Sequence, residues 1–377
     1  MKRNKKTLIY AAAYAACATL LSGAWTGKRL TYTDMHSWYP TVAASGDYVY
    51  VTWQDCTPGN EEIFFLRSTD NGSTWDGKIR LTDTSGTSSN PQIAASGAYV
   101  YVVWEEKIAG SYEVLFRRST DNGATWDNKK QLTDNAGYSI RVQIAVSGAN
   151  VYVAWEDNTP GNWEIYFLRS TDNGSTWKTE KRMTDTAEDS EYPDIAVDGD
   201  HVYLVWLEWV SGSKVIYMRK SEDRGATWDA ARNLTLAMYT CNAVKIAAAG
   251  SNVYLAFRCN VSGDPEITFM KSADYGGAWS AMKQLTDVTG SQSVTLGGIA
   301  AVNAKVYVAW DEADENIEVY CRKAADHGDT WKGAQRLTYN DGFSESADVC
   351  LGAENVYVAY YDTTPGNSEI YLKYKPH

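Results

Sequence analysis

Along residues 139–184 the apolar positions come in short runs with a period of two. RVQIAVS (141–147), VYVAW (151–155) and EIYFLRS (164–170) alternate apolar and polar residues or are filled with β-branched and aromatic ones, and EKRMT (180–184) follows. That period predicts strands, and the Gly, Asn, Asp and Pro between the runs predict turns. Beyond the N-terminal segment no stretch carries a sustained helical period with capping residues.

The four-run unit repeats. The octapeptide STDNGSTW at 68–75 returns unchanged at 170–177, with variants starting at 119, 221, 272 and 324, a spacing of 51 residues and once of 52. Periods of this size mark stacked or circular repeats. First strands, containing Val42, Ile93, Ile144, Ile195, Ile246, Ile299 and Val349, number seven, as do second strands ending at Trp53, Trp104, Trp155, Trp206, Phe257, Trp310 and Tyr360. The last unit stops after its third strand, EIYLKYK (369–375), whereas WTGKRLT (25–31) is a fourth strand with none before it. The two fragments complete each other. The fold class expected is therefore all-β: a seven-bladed β-propeller of four-stranded antiparallel blades spanning 25–377, closed by the N-terminal strand on the C-terminal three. Kelch repeats have a similar period, but their paired-glycine signature is missing, and WD repeats are shorter.

The pattern Ser-x-Asp-x-Gly-x-Thr-Trp resembles the Asp-box, or BNR repeat, of sialidase-type propellers. Four copies fit throughout, Ala278 replaces the threonine in the fifth, and Ala324 the serine in the sixth. The box joins strands three and four. Its Asp (Asp70, Asp121, Asp172, Asp223, Asp274, Asp326) can accept bonds within its own turn, its Gly can take positive φ, and its Trp can fill the gap between sheets. Six near-identical copies around a ring cannot all touch one ligand, so the boxes are read as structural. The resemblance implies a working face opposite them.

The first 24 residues form a separate unit. MKRNKK is basic, TLIYAAAYAACATLL apolar, and Ser22-Gly23-Ala24 small, the layout of a signal peptide or, uncleaved, of a membrane anchor. The expected location is secreted or cell-surface, with membrane contact only through that segment. The formal charge is −12, and losing Lys2, Arg3, Lys5 and Lys6 would make the remainder more acidic still. Such a chain repels phosphate backbones, which excludes nucleic acid as partner. Export licenses disulfides. Cys241 and Cys259 flank a predicted hairpin whose tip is Gly250, so they are either a bridge or two small apolar residues. Neither Cys nor His spacing suggests a metal, and no cofactor motif is present.

If repetition marks scaffold, function lies in what does not repeat. Among 15 Trp, three fall outside the recurring slots: Trp38, Trp163 and Trp209. Arg141 and Arg258 stand apart likewise, as do Tyr39, Tyr112, Tyr138, Tyr192, Tyr239 and Phe343. All map to loops or strand ends on the rim opposite the boxes. That rim also carries acids two residues past the second-strand aromatic: Asp55, Glu106, Asp157, Glu208, Glu312 and Asp362. Either they bond the turns that follow, or they hold a cation or polyhydroxy ligand. The ligand-binding candidates are thus Trp38, Tyr39, Glu106, Arg141, Asp157, Trp163, Trp209, Tyr239 and Arg258.

The resemblance to sialidases implies a three-arginine carboxylate clamp on six blades. Here only two rim arginines qualify, and the entry to the first blade, SWYPTVA (37–43), has none. A fork-shaped guanidinium is what bidentate carboxylate recognition requires. The expectation is accordingly a non-catalytic module binding a glycan or cell-surface protein. The alternative is a sialidase-like glycoside hydrolase or polysaccharide lyase, and a third option is a structural subunit of a surface layer. Oligomeric state cannot be read from the sequence.

Overall fold

Alternation of side chains along each strand decides how the units pack. In blade three, Ser139–Ser147, Asn150–Asp157, Glu164–Ser170 and Lys181–Arg182 form an antiparallel sheet in chain order. Its second strand sends Val151, Val153 and Trp155 toward Tyr101, Val103 and Phe116 of blade two. Tyr152 and Ala154, pointing the other way, pack with Val202, Leu204 and Trp206 of blade four. Both faces of every blade are therefore core, which explains why the second strands are almost wholly apolar. Each fully buried Trp of this set contributes about 3 kcal/mol of burial.

The structure is a computed structural model describing residues 23–236, 238–260, 263–288, 293–313 and 316–377. It contains seven four-stranded sheets and, among the described residues, no helix. The expected signal segment lies almost entirely outside the described residues. Ring closure follows the strand count: Thr26–Arg29 pairs antiparallel with Glu369–Pro376, setting Thr26 opposite Tyr374 and Arg29 opposite Tyr371.

The Asp-boxes tie neighbouring blades. In blade two, Asp121 accepts the Thr125 amide at 2.8 Å, the Thr125 hydroxyl at 2.7 Å and the Ser119 hydroxyl at 2.7 Å. These bonds, the Thr125 hydroxyl foremost, pull its carboxyl down to about 2. Asp70, Asp172, Asp223, Asp274 and Asp326 likewise accept the amide four residues on. Trp126 meets Phe65 of blade one edge-on at 4.9 Å. Gly123, at φ +80°, leaves room for the same ring, since a Cβ there would lie 2.6 Å from it. In blade five, Cys241 and Cys259 face each other across strands one and two and are disulfide-bonded. Cys56, Cys321 and Cys350 are free thiols.

Candidate functional site

A register shift interrupts the first strand of every blade just below the loop face. In blade three, Ile140 pairs with Glu156 and Gln143 with Ala154, so two residues oppose Trp155 alone. An extra residue bends the strand and re-aims its side chain. Here it turns Arg141 to φ +52°, and the equivalent Tyr39, Asn90, Tyr192 and Ser346 also take positive φ. Apart from the two tyrosines, these five share geometry and not residue type. All five, with Asn242 and Leu296 from blades five and six, reach the cavities at the centre of the loop face.

Two adjoining lobes make up the central hollow. The larger, about 460 Å³, is lined by Tyr39, Asn90, Glu105, Arg141, Tyr192 and Lys245 among others. The smaller, about 220 Å³, shares Tyr39, Asn90 and Lys245 and adds Asp311, Ser346 and Asp348.

A second ring lies one residue past each second-strand aromatic: Gln54, Glu105, Glu156, Leu207, Arg258, Asp311 and Tyr361. Four of its members cap the strained bulges of the following blade. Gln54 accepts the Asn90 amide at 3.0 Å, Glu105 the Arg141 amide at 2.6 Å, Glu156 the Tyr192 amide, and Asp311 the Ser346 amide at 2.7 Å. Burial pushes the Glu156 carboxyl up to about 7 against the opposing pull of Arg141, and the Asp311 carboxyl up to about 7. Glu105 is raised as well, again by burial.

Arg141 is the hub of the larger lobe. One guanidinium nitrogen bonds Glu156 at 2.6 Å, another bonds the Tyr192 hydroxyl at 3.2 Å, and the group lies 4.0 Å over the Tyr192 ring. Burial alone would lower its pKa; the Glu156 carboxylate more than offsets this and raises it. Behind Tyr192, Glu191 pairs with Lys214 at 2.5 Å and accepts the Trp209 indole at 3.1 Å, and Lys214 stands 5.0 Å over the Trp209 ring. Deeper in, Lys245 approaches Asp194 at 3.7 Å and Gln143 at 3.5 Å, both long contacts that leave its ammonium available to the cavity.

Of the residues singled out by sequence, Tyr39 and Arg141 line the cavity, and Trp209 flanks it through Glu191 and Lys214. Glu106 and Asp157 do not reach it. They turn back to the indoles of Trp104 and Trp155, at 3.1 and 3.3 Å, and are buried. Asp157 additionally accepts the Thr159 amide of its turn at 2.9 Å. Trp38 is tied to Ser368 at 2.9 Å and stacks on His36, while the Trp163 amide bonds Asp189 at 2.9 Å. Neither they nor the half-buried Tyr239 lines the hollow. Arg258 holds the ring position after Phe257, its Nε buried without a hydrogen-bond partner, and burial lowers its pKa. Sequence reading passed over Glu105, Glu156 and Asp311, although their slot is the one that varies from blade to blade. Among the described residues no cluster of His, Cys, Asp and Glu could hold a metal ion.

Two sialidases are relatives in sequence. One from Paraclostridium sordellii is 24% identical over 318 residues, 74% of this chain and 72% of its own. One from Clostridium perfringens is 24% identical over 238 residues, 54% of this chain, which spans 57% of that relative. Among solved structures, an ulvan lyase of a polysaccharide lyase family, bound to a GlcA–Rha3S oligosaccharide, superposes with a TM-score of 0.61. It is 10% identical, covering 92% of this chain and 95% of its own, so the likeness is one of fold. The sialidase relatives correct the expectation of a non-catalytic binding module, because the proteins sharing this sequence pattern are named as glycosidases. A family model described as a BNR repeat-like domain matches residues 95–291, just over half of the chain, and the protein therefore belongs to the BNR repeat-like family.

Proposed function

We propose that this protein is an exported enzyme that cleaves glycosidic bonds of an acidic glycan, working in the central hollow of the loop face. The observation that carries the reading is the Arg141–Tyr192 pair: a guanidinium nitrogen 3.2 Å from a phenolic oxygen, both lining one cavity. A guanidinium so placed positions the phenolic oxygen from which tyrosine attacks a sugar or takes a proton. Glu156, buried beneath, holds Arg141 in place and keeps the Tyr192 backbone in its strained conformation.

The substrate class follows from charge. Lys245 and the free edge of Arg141 are the cations facing the hollow, and together they suit one sugar carboxylate. A three-arginine clamp is not assembled here, so the carboxylate would be held by one guanidinium and one ammonium. Glu105 and Asp311, lining the two lobes and biased toward the neutral acid by burial, are the proton sources for a departing sugar oxygen. The sialidase relatives support hydrolysis, and the ulvan lyase neighbour is a case of elimination on the same fold.

The test is product analysis. The protein is incubated with sialosides, ulvan and polygalacturonate, and both new reducing ends and the ultraviolet absorbance of unsaturated uronates are followed. Either product, lost in Tyr192→Phe, supports the proposal and names the chemistry. No product from any of the three, or turnover indifferent to Tyr192→Phe, overturns it.

A further inference from the structure

We infer that the outer edge of blades six and seven is a second carbohydrate site, a track for the same acidic polymer some distance from the cleavage site. This inference rests on the proposed substrate class.

At the position two residues past each fourth strand's buried Leu or Met the chain usually places an acid. Asp83 and Asp185 there pair with Arg80 and Arg182 at 2.7 and 2.8 Å. In the two adjacent blades six and seven that position is instead Tyr339 and Tyr32. Each ring lies on the equivalent arginine, Tyr339 on Arg336 at 4.7 Å and Tyr32 on Arg29 at 4.3 Å. The arginines are themselves fixed by buried carboxylates, Arg336 by Glu318 at 2.6 Å and Arg29 by Glu369 at 3.0 Å. One face of each ring is thus held flat while the other is open. Tyr32 is 76% and Tyr339 75% exposed, the most open aromatic rings among the described residues. Held, solvent-facing rings are the means by which proteins stack on sugars, and they have no packing role to explain them.

The hollows around them follow one another along this edge and share lining residues. One of about 400 Å³ holds Tyr320 and the exposed Phe343; the next, about 450 Å³, holds Tyr339; the third, about 360 Å³, holds Tyr32. The first two share Asn340, and the last two share Lys28 and Arg29. A row of hollows with an aromatic ring in each fits a chain polymer better than a compact ligand.

Charge selects the kind of polymer. In the middle hollow the carboxylate, Asp362, is buried and already bonded by Ser344 at 2.9 Å and the Thr364 amide at 2.8 Å. Opposing it are Lys28 and Lys373, while Arg29 is matched by Glu369. Lys373 has no hydrogen bond or ion pair among the described residues, its burial lowers its pKa, and it occupies the space left beside Gly27. Glu318, paired with Arg336, and Asp341 line one flanking hollow, and Asp76, neutralised by Arg67 at 2.5 Å, lines the other. In the middle hollow Lys28 and Lys373 form no ion pair among the described residues and outnumber Asp362, which suits this part of a protein of net charge −12 to a polyanion.

The test is affinity electrophoresis through gels containing ulvan, polygalacturonate or polysialic acid. The variant is Tyr32→Leu/Tyr339→Leu, since Leu236 already fills this slot in blade four and the scaffold tolerates it. Retardation of the wild type by at least one polymer, lost in the double Leu variant, restored in Tyr32→Phe/Tyr339→Phe and weakened several-fold by Lys373→Gln, is the expected result. Arg141→Ala separates the two sites: it should abolish turnover and leave retardation intact. Retardation that survives the double Leu variant, or no retardation of the wild type in any gel, overturns the groove. Retardation lost in the double variant of a protein without turnover leaves the groove standing and overturns the proposed enzyme.

Discussion

The Arg141 guanidinium lies 4.0 Å over the ring of Tyr192 while donating to its hydroxyl at 3.2 Å, although the two residues belong to different blades. Two bulges and one buried carboxylate, Glu156, make that contact. Replacing Tyr192 by Phe removes only an oxygen from an already cradled ring. Turnover should fall by about 10²–10⁴-fold, the usual range for a group that transfers a proton, with the melting temperature nearly unchanged. Arg141→Lys keeps the charge but loses the fork, and should raise KM for the acidic substrate as well as lowering kcat. Steady-state kinetics beside thermal unfolding checks both.

The Arg141 position was legible in the sequence as a residue outside every repeating slot, and the propeller itself was legible from the strand count. Glu156 was not, for a reason of geometry. Trp155 and Asp157 stand on one face of the strand and bond each other, so the repeating acids are scaffold. Glu156, between them, points to the opposite face and the next blade. A spacing argument that stopped at the conspicuous acid missed the variable one beside it. The bulges were equally hidden, because a one-residue shift leaves the repeat length unchanged.

The Asp-boxes set an acid limit. Asp70, Asp121 and Asp223 are each pulled down to about 2 by bonds from their own turns. A carboxyl that is more acidic folded than unfolded adds stability fully present above about pH 4 and lost as pH falls through 2. Asp121→Asn should lower the melting temperature at neutral pH, and the deficit against wild type should shrink as pH approaches 2. Melting curves of both proteins from pH 7 down to pH 2 check this; a deficit independent of pH would contradict it.

Opposite behaviour is expected at the centre. Burial raises Asp311 to about 7 and Asp348 to about 6. These groups hold their protons more tightly folded than unfolded. Their contribution is complete below about pH 4, the ordinary carboxyl range, and lost as pH climbs through 6 to 7. Stability should therefore decline between about pH 4 and pH 7. Among the described residues no cation pairs with Asp311, so Asp311→Asn should flatten that decline while costing something at every pH, because one of its two bound amides, Ser346 or Ala347, loses an acceptor. Thermal unfolding across this range is the measurement.

Ring closure yields the last prediction. The strand Thr26–Arg29 supplies the outer edge of blade seven, and its contacts extend past the backbone ladder. The Trp25 indole donates to Gln335 of blade six at 3.2 Å, Lys375 sits 4.7 Å over the Trp25 ring, and the Leu30 amide bonds the Ile370 carbonyl at 2.7 Å. Thr31 caps the Ile370 amide at 2.7 Å. A chain beginning at Thr33 would leave the edge of Glu369–Pro376 unpaired and strip the cover from Leu372, which is fully buried. Losing a whole strand removes several interactions at once, so the fall in stability should exceed the ~1 kcal/mol of an ordinary point substitution, and the bare edge should promote association. Supplying residues 25–32 as a separate peptide should restore the elution volume of the full chain and part of the melting temperature, because the edge it fills belongs to the folded ring. Size exclusion and thermal unfolding, with and without the peptide, distinguish closure by this strand from a mere loss of mass: a scrambled peptide of the same composition should restore neither.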